Sequence, residues 1–289
     1  MAFRILAPLI TPRDDRGRLD LEGLQRNVAR LAATSLDGFL ALGSSGEYIY
    51  LREEERLRVV RATIEASQGK PVLAQVGAET TEDSCRLATA AMAAGAAGLL
   101  AVTPHYYTPQ LRGGALDAFY RAVGAAGPVF LYHIPGYTGA QLDVADVLRV
   151  AALPGVVGMK DSSGNLNMMV EVLAGRPAGF TYYVGSGGAL PAALAQGADG
   201  TIAALANLCP EAMRTASEAL VTGDLEKASA LQAPLARLNA LVTRRHGIPG
   251  LKYACGRLGY AAGEPVPPLQ PLAPEARVEI DRALSELEA

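Results

Sequence analysis

Covalent chemistry in this chain has one natural carrier, the lysine that closes the run Val156-Val157-Gly158-Met159-Lys160-Asp161-Ser162-Ser163-Gly164. An apolar, valine-rich approach ending in a small polar turn reads as a strand buried on both faces. Chemistry in parallel barrels and open α/β sheets sits at the carboxyl ends of strands. The other lysines are Lys70, Lys227 and Lys252. Lys70 precedes a strand, at the wrong end of the sheet, and the last two fall in helical stretches. Desolvation disfavours an ammonium, and a neutral amine can attack a ketone to form a Schiff base, an electron sink. The ordinary alternative is a lysine that snorkels to water or pairs with Asp161.

The company of Lys160 argues for chemistry. Tyr132 ends the preceding strand, where a hydrogen-bonded phenol can carry protons to and from a carbinolamine or an aldehyde oxygen. Gly43-Ser44-Ser45-Gly46 offers two hydroxyls and turn N–H groups, a cradle for a carboxylate. Tyr106 lies just past another strand end. His105, His133 and His246 form no H-x-H or H-E-x-x-H pair, so metal-dependent aldol chemistry is disfavoured and no metal or cofactor is expected. There is no G-x-S-x-G elbow, Walker loop or GxGxxG turn after the first strand.

The elements that must position these residues alternate regularly. Strands are expected over 5–10, 38–42, 72–76, 98–102, 129–132, 156–159, 182–184 and 200–205. The helices between them have Asp20 and Thr80 or Thr81 among their caps. Eight strands alternating with helices predict a (β/α)₈ barrel over residues 1–222. Residues 223–289 read as a C-terminal helical extension, with 265–274 as an extended connector. The doubly wound sheet, the rival architecture, usually has fewer strands.

Half of the 289 residues are hydrophobic, ample for a large core, and the net charge of −3 gives no basic footprint for nucleic acid or an anionic membrane. Cys85, Cys209 and Cys255 are odd in number and far apart, which suits a reducing compartment. With no signal-peptide pattern and no apolar run of membrane length, a soluble cytoplasmic protein is expected.

Gly43-Ser44-Ser45-Gly46-Glu47, Thr103-Pro104-His105-Tyr106-Tyr107, Tyr132-His133-Ile134-Pro135 and Gly158-Met159-Lys160-Asp161 together resemble the signature stations of the dihydrodipicolinate synthase / N-acetylneuraminate lyase superfamily. Its members are pyruvate-handling class I aldolases on a (β/α)₈ barrel. The resemblance runs from Ala7 to about Pro274. It implies that Lys160 forms the Schiff base with pyruvate and that Tyr132 is the acid/base. It further implies that Ser44 and Ser45 bind the pyruvate carboxylate and that Gly185 and Ile202 line the site. The residue matching Tyr106 completes a proton relay in a neighbouring subunit, so the resemblance implies a homotetramer of tight dimers.

Within the superfamily, lysine-pathway synthases carry an arginine in the loop after the Tyr132 station. This chain has Tyr137 there, and a phenol cannot make the bidentate guanidinium–carboxylate contact. The segments 242–252 and 268–270, with Gly158-Met159-Lys160-Asp161-Ser162, are similar to 4-hydroxy-2-oxoglutarate aldolase, in which Ser162 would match a pocket residue. That resemblance implies cleavage of a 4-hydroxy-2-oxo acid to pyruvate and glyoxylate. The alternatives are dihydrodipicolinate synthesis, a 2-keto-3-deoxy sugar-acid aldolase or dehydratase, and a non-catalytic oxo-acid-binding barrel.

Overall fold

The computed structural model describes residues 3–288. Eight parallel strands close into a barrel in chain order. They are β1 (Arg4–Pro8), β2 (Gly38–Ala41), β3 (Val72–Gln75), β4 (Gly98–Val102), β5 (Val129–His133), β6 (Val156–Asp161), β7 (Thr181–Val184) and β8 (Gly200–Ile202). Closure is made by β1 against β8, with Leu6 opposite Ile202. The molecule is thus the expected (β/α)₈ barrel with C-terminal helices.

The helices on the outside are α1 (Leu21–Ala32), α2 (Glu53–Ala66), α3 (Thr81–Ala93), α4 (Gly114–Gly124), a single turn α5 (Pro135–Thr138), α6 (Val144–Ala151), α7 (Leu166–Gly175), α8 (Leu190–Ala195) and α9 (Pro210–Val221). Four of these starts, those of α1, α3, α6 and α7, follow from short polar side chains that accept otherwise unpaired N–H groups of the first turn. Asp20, Thr80, Asp143 and Asn165 each accept from the residue three positions on, at 2.7–3.1 Å. After the barrel come α10 (Leu225–Asn239), α11 (Gly247–Arg257) and α12 (Pro274–Glu288). Within the expected helical extension, α10 runs into a π-helical turn, Ala240–Arg245. Among the described residues, no helix is long and apolar enough to cross a membrane.

Strand residues alternate between the helices and the lumen. Leu6, Leu40, Leu73, Leu100, Val102, Tyr132, Tyr183 and Ile202 fill the lumen as one buried cluster, so the barrel is a packed core rather than a pore. The register between β5 and β6 decides where the chemistry falls. Val129 lies opposite Val156, but a bulge after Val129 moves the pairing by one residue. Phe130 then faces Gly158, and Tyr132 faces Lys160. Continued without the bulge, the ladder would set Tyr132 against Met159, which belongs to the core beneath the helices. The extra residue, Val157, therefore brings lysine and tyrosine to the same side of the sheet. Glycine is needed opposite Phe130: a Cβ on Gly158 would come within 2.4 Å of the Thr181 carbonyl oxygen and 2.6 Å of the Phe130 ring.

Candidate active site

Lys160 and Tyr132 meet at the carboxyl end of the lumen. Lys160 Nζ donates to the Tyr132 hydroxyl at 3.3 Å and lies 4.3 Å from the centre of its ring. Both residues are buried, at 4% and 2% exposure. The Tyr132 hydroxyl is also 3.2 Å from Ser44 Oγ, which gives a continuous chain from amine to phenol to serine hydroxyl. Among the described residues no carboxylate pairs with Lys160. Asp161 next to it points the opposite way, as strand alternation demands, so the ordinary reading of a Lys160–Asp161 pair does not hold.

Asp161 instead organises the back of the same strands. Its carboxylate accepts from Tyr182 Oη at 2.7 Å, Ser163 N at 2.9 Å and Ser163 Oγ at 3.0 Å, and it lies 3.0 Å from His133 Nδ1. His133 therefore faces the helices, not the pocket. Burial alone would raise the Asp161 carboxyl. The bonds from His133, the Ser163 N–H and Tyr182 outweigh it and hold the carboxyl below its ordinary value. Burial, and then the adjacent Asp161 charge, push the Tyr182 phenol far upward.

This network locks β5, β6 and β7 together one residue beyond Tyr132 and Lys160, and its pH dependence has a definite sign. A carboxyl whose folded value is depressed stabilises the fold above its unfolded value of about 4, and that contribution disappears as pH falls through the folded value. Asp161→Asn is therefore expected to lower the melting midpoint at pH 7. The gap to the parent should narrow as pH drops below about 4. Thermal unfolding at a series of pH values checks this, and a gap independent of pH would refute it.

The serine station is a tight turn. Ser44–Gly46 forms one 3₁₀ turn, with Ser45 buried and Ser44 half-buried. Ser162 and Gly185 continue the β5–β6–β7 ladder past the strand ends, through Ser162 N to the His133 carbonyl at 2.8 Å and Gly185 N to the Asp161 carbonyl at 2.6 Å. They abut, since a Cβ on Gly185 would fall 1.9 Å from Ser162 Oγ. Ile202 is fully buried in the lumen cluster that includes Tyr132.

Tyr106 stands apart. It is 78% exposed on the loop after β4, edge-to-face with Tyr107 at 5.0 Å between ring centres. That loop is tethered by Glu79, whose carboxylate accepts the N–H groups of His105 and Tyr106 at 3.0–3.2 Å. Within one chain, then, Lys160, Tyr132 and Ser44 are directly linked and Tyr106 does not reach them. Tyr137 sits on α5, largely exposed, and its phenol is shifted upward by partial desolvation against the surrounding protein and then by the nearby Tyr132.

Two residues near the site escape inspection of the sequence. Tyr48 packs against the lumen cluster. Its phenol is pushed up to about 12 by burial, then by Tyr132, with Arg56 opposing. The signal available was its place directly after the Gly43–Glu47 station. Lys252 is the second: it lies in a helix as expected, but it is 1% exposed and ion-paired to Glu47 at 2.7 Å.

Residues 1–287 match the model of the dihydrodipicolinate synthetase family. The chain is 35% identical over 285 residues to the 4-hydroxy-tetrahydrodipicolinate synthase of Methylococcus capsulatus, covering 97% of each. Among solved structures, a putative dihydrodipicolinate synthase from Thermus thermophilus is 38% identical, with a TM-score of 0.88 and 98% of each chain covered. The dihydrodipicolinate synthase DapA-2 of Bacillus anthracis superposes with a TM-score of 0.93 at 26% identity over 99% of each chain. A match over nearly the whole length, carried on a closed barrel with a lysine–tyrosine pair at its carboxyl end, places this chain in the dihydrodipicolinate synthetase family.

Proposed function

We propose that this protein is a Schiff-base lyase that cleaves a 4-hydroxy-2-oxo acid, 4-hydroxy-2-oxoglutarate foremost, to pyruvate and glyoxylate. The observation that carries the chemistry is the buried Lys160 amine 3.3 Å from the Tyr132 hydroxyl. Lys160 attacks the C2 ketone. Tyr132 gives its proton to the departing hydroxyl, so water leaves and a phenolate faces the new iminium. The phenolate takes the proton of the C4 hydroxyl while the C3–C4 pair flows into the iminium, releasing glyoxylate and leaving an enamine. Protonation at C3 and attack by water on the restored iminium free pyruvate and the amine. Ser44 relays protons to Tyr132, and Ser44 and Ser45 receive the substrate carboxylate, with Ser162, Gly185 and Ile202 around it. Tyr106 completes the relay in a neighbouring copy of a homotetramer. The mechanism requires no metal ion.

The choice of reaction rests on Tyr137. A phenol at the mouth offers one hydrogen-bond donor to a distal carboxylate where a guanidinium would offer a charged fork. The names of the synthase relatives favour a second reading, condensation of pyruvate with aspartate semialdehyde. Pyruvate and glyoxylate release should be followed from a panel of 4-hydroxy-2-oxo acids, with chelator present. Aldehyde consumption with pyruvate and aspartate semialdehyde is followed in parallel. Stoichiometric glyoxylate from 4-hydroxy-2-oxoglutarate is the expected result. Turnover confined to aspartate semialdehyde would overturn the lyase reading, and loss of activity with chelator would overturn the metal-free mechanism.

A further inference from the structure

The turn bearing Ser44 and Ser45 is gripped from outside the barrel by a buried ion pair that the chemistry above does not use. Lys252 Nζ donates to Glu47 Oε2 at 2.7 Å and to the Glu264 carbonyl at 2.9 Å, and Glu47 Oε1 accepts the Val266 N–H at 2.7 Å. The two side chains are 1% and 3% exposed. Helix α11 and the connector that follows it thus hold the residue that ends the serine turn.

Backbone strain marks the same turn. Glu47 has φ +53° and Leu42, just before Gly43, has φ +63°, the left-handed region that disfavours side chains with a Cβ. Strained positions persist only where their surroundings enforce them, and they gather at ligand clamps. Leu42 is enforced by core packing, Glu47 by Lys252 and Val266. A buried ion pair adds little net stability over two well-packed apolar side chains. Stability alone therefore does not account for placing one at the edge of a binding turn.

We propose that Glu47 and Lys252 are positioning residues that lock the Ser44–Ser45 turn in the conformation that receives the substrate carboxylate. The C-terminal helices are thereby part of the binding site. This rests on the reading of that turn as a carboxylate cradle given above.

The test is borohydride trapping of Lys160 over a range of pyruvate concentrations, repeated with methyl pyruvate, in which the same ketone lies next to a masked carboxylate. In Glu47→Gln and Lys252→Met the half-saturating pyruvate is expected to rise roughly 10- to 100-fold, the scale of an ångström-level misplacement of a binding group. The methyl pyruvate value should stay within about threefold, since the cradle contributes little to an ester. A merely structural pair would shift both ketones equally or neither, and either result overturns the proposal. Should Lys252→Met fail to fold, Glu47→Gln carries the test, because it keeps the shape and the acceptor for Val266. If the parent protein itself is not labelled by pyruvate, the Schiff-base reading fails. If the parent is labelled normally and the variants match it, only the positioning role fails.

Discussion

Lys160→Met is expected to lose essentially all turnover, roughly a 10⁵- to 10⁶-fold drop, the scale seen when a covalent nucleophile is removed. Three features make the effect large. The amine is buried, it has no carboxylate partner among the described residues, and its hydrogen bond is to Tyr132, the proposed proton carrier. The other deeply buried lysine, Lys252, is tied to Glu47 and cannot substitute. Methionine fills a similar volume and leaves behind only the Tyr132 hydroxyl, which retains Ser44 at 3.2 Å. The variant should therefore fold with an unchanged or higher melting midpoint, the usual outcome when a buried catalytic group is made apolar. Mass spectrometry after pyruvate and borohydride should find the adduct on the Lys160 peptide of the parent and on no peptide of the variant. Retained turnover, or a label on another lysine, would end the case for this amine.

Tyr132→Phe should cost about 10²- to 10⁴-fold in turnover, the span for loss of a general acid–base group. The ring remains, so its packing against Tyr183 and Ile202 survives and the loss is confined to one oxygen. That oxygen sits between Lys160 and Ser44, so under the proposed mechanism both dehydration of the carbinolamine and deprotonation of the C4 hydroxyl should slow. The distinguishing sign is in the trapping experiment: Tyr132→Phe should still label Lys160 at long incubation, whereas Lys160→Met never labels. Turnover within tenfold of the parent would transfer the proton-carrying role to another group.

Much of this arrangement was readable locally. Apolar strand runs punctuated by Gly, Pro and capping residues mark all eight strands within a few residues, because burial on both faces leaves a compositional trace. Lys160, Tyr132, Ser44 and Ser45 stand out because each ends such a run. The bulge at Val157 leaves no trace, since an extra valine in a valine-rich strand changes neither composition nor hydrophobicity. The alignment of Tyr132 with Lys160 consequently could not be derived from strand lengths. The Glu47–Lys252 pair joins residues 205 positions apart, and a lysine on an amphipathic helix looks solvent-facing until the fold buries it. The Asp161 network was hidden for a related reason: alternation separates neighbours in sequence onto opposite faces of the wall, and which face receives the polar cluster depends on the closed barrel.

The lumen below the Lys160–Tyr132 pair is filled by Leu6, Leu40, Leu73 and Leu100, all at most 6% exposed. With packed side chains below it, the carboxyl-end rim is the side from which reactants, water and products would reach and leave the amine. Under the proposed reaction the tethered three-carbon piece occupies the deep end and the aldehyde the shallow end. Departure is then sequential by depth: glyoxylate clears the passage first, hydrolytic water follows it in, and pyruvate exits last. Product inhibition should show that order, with pyruvate competing against the substrate for the empty enzyme.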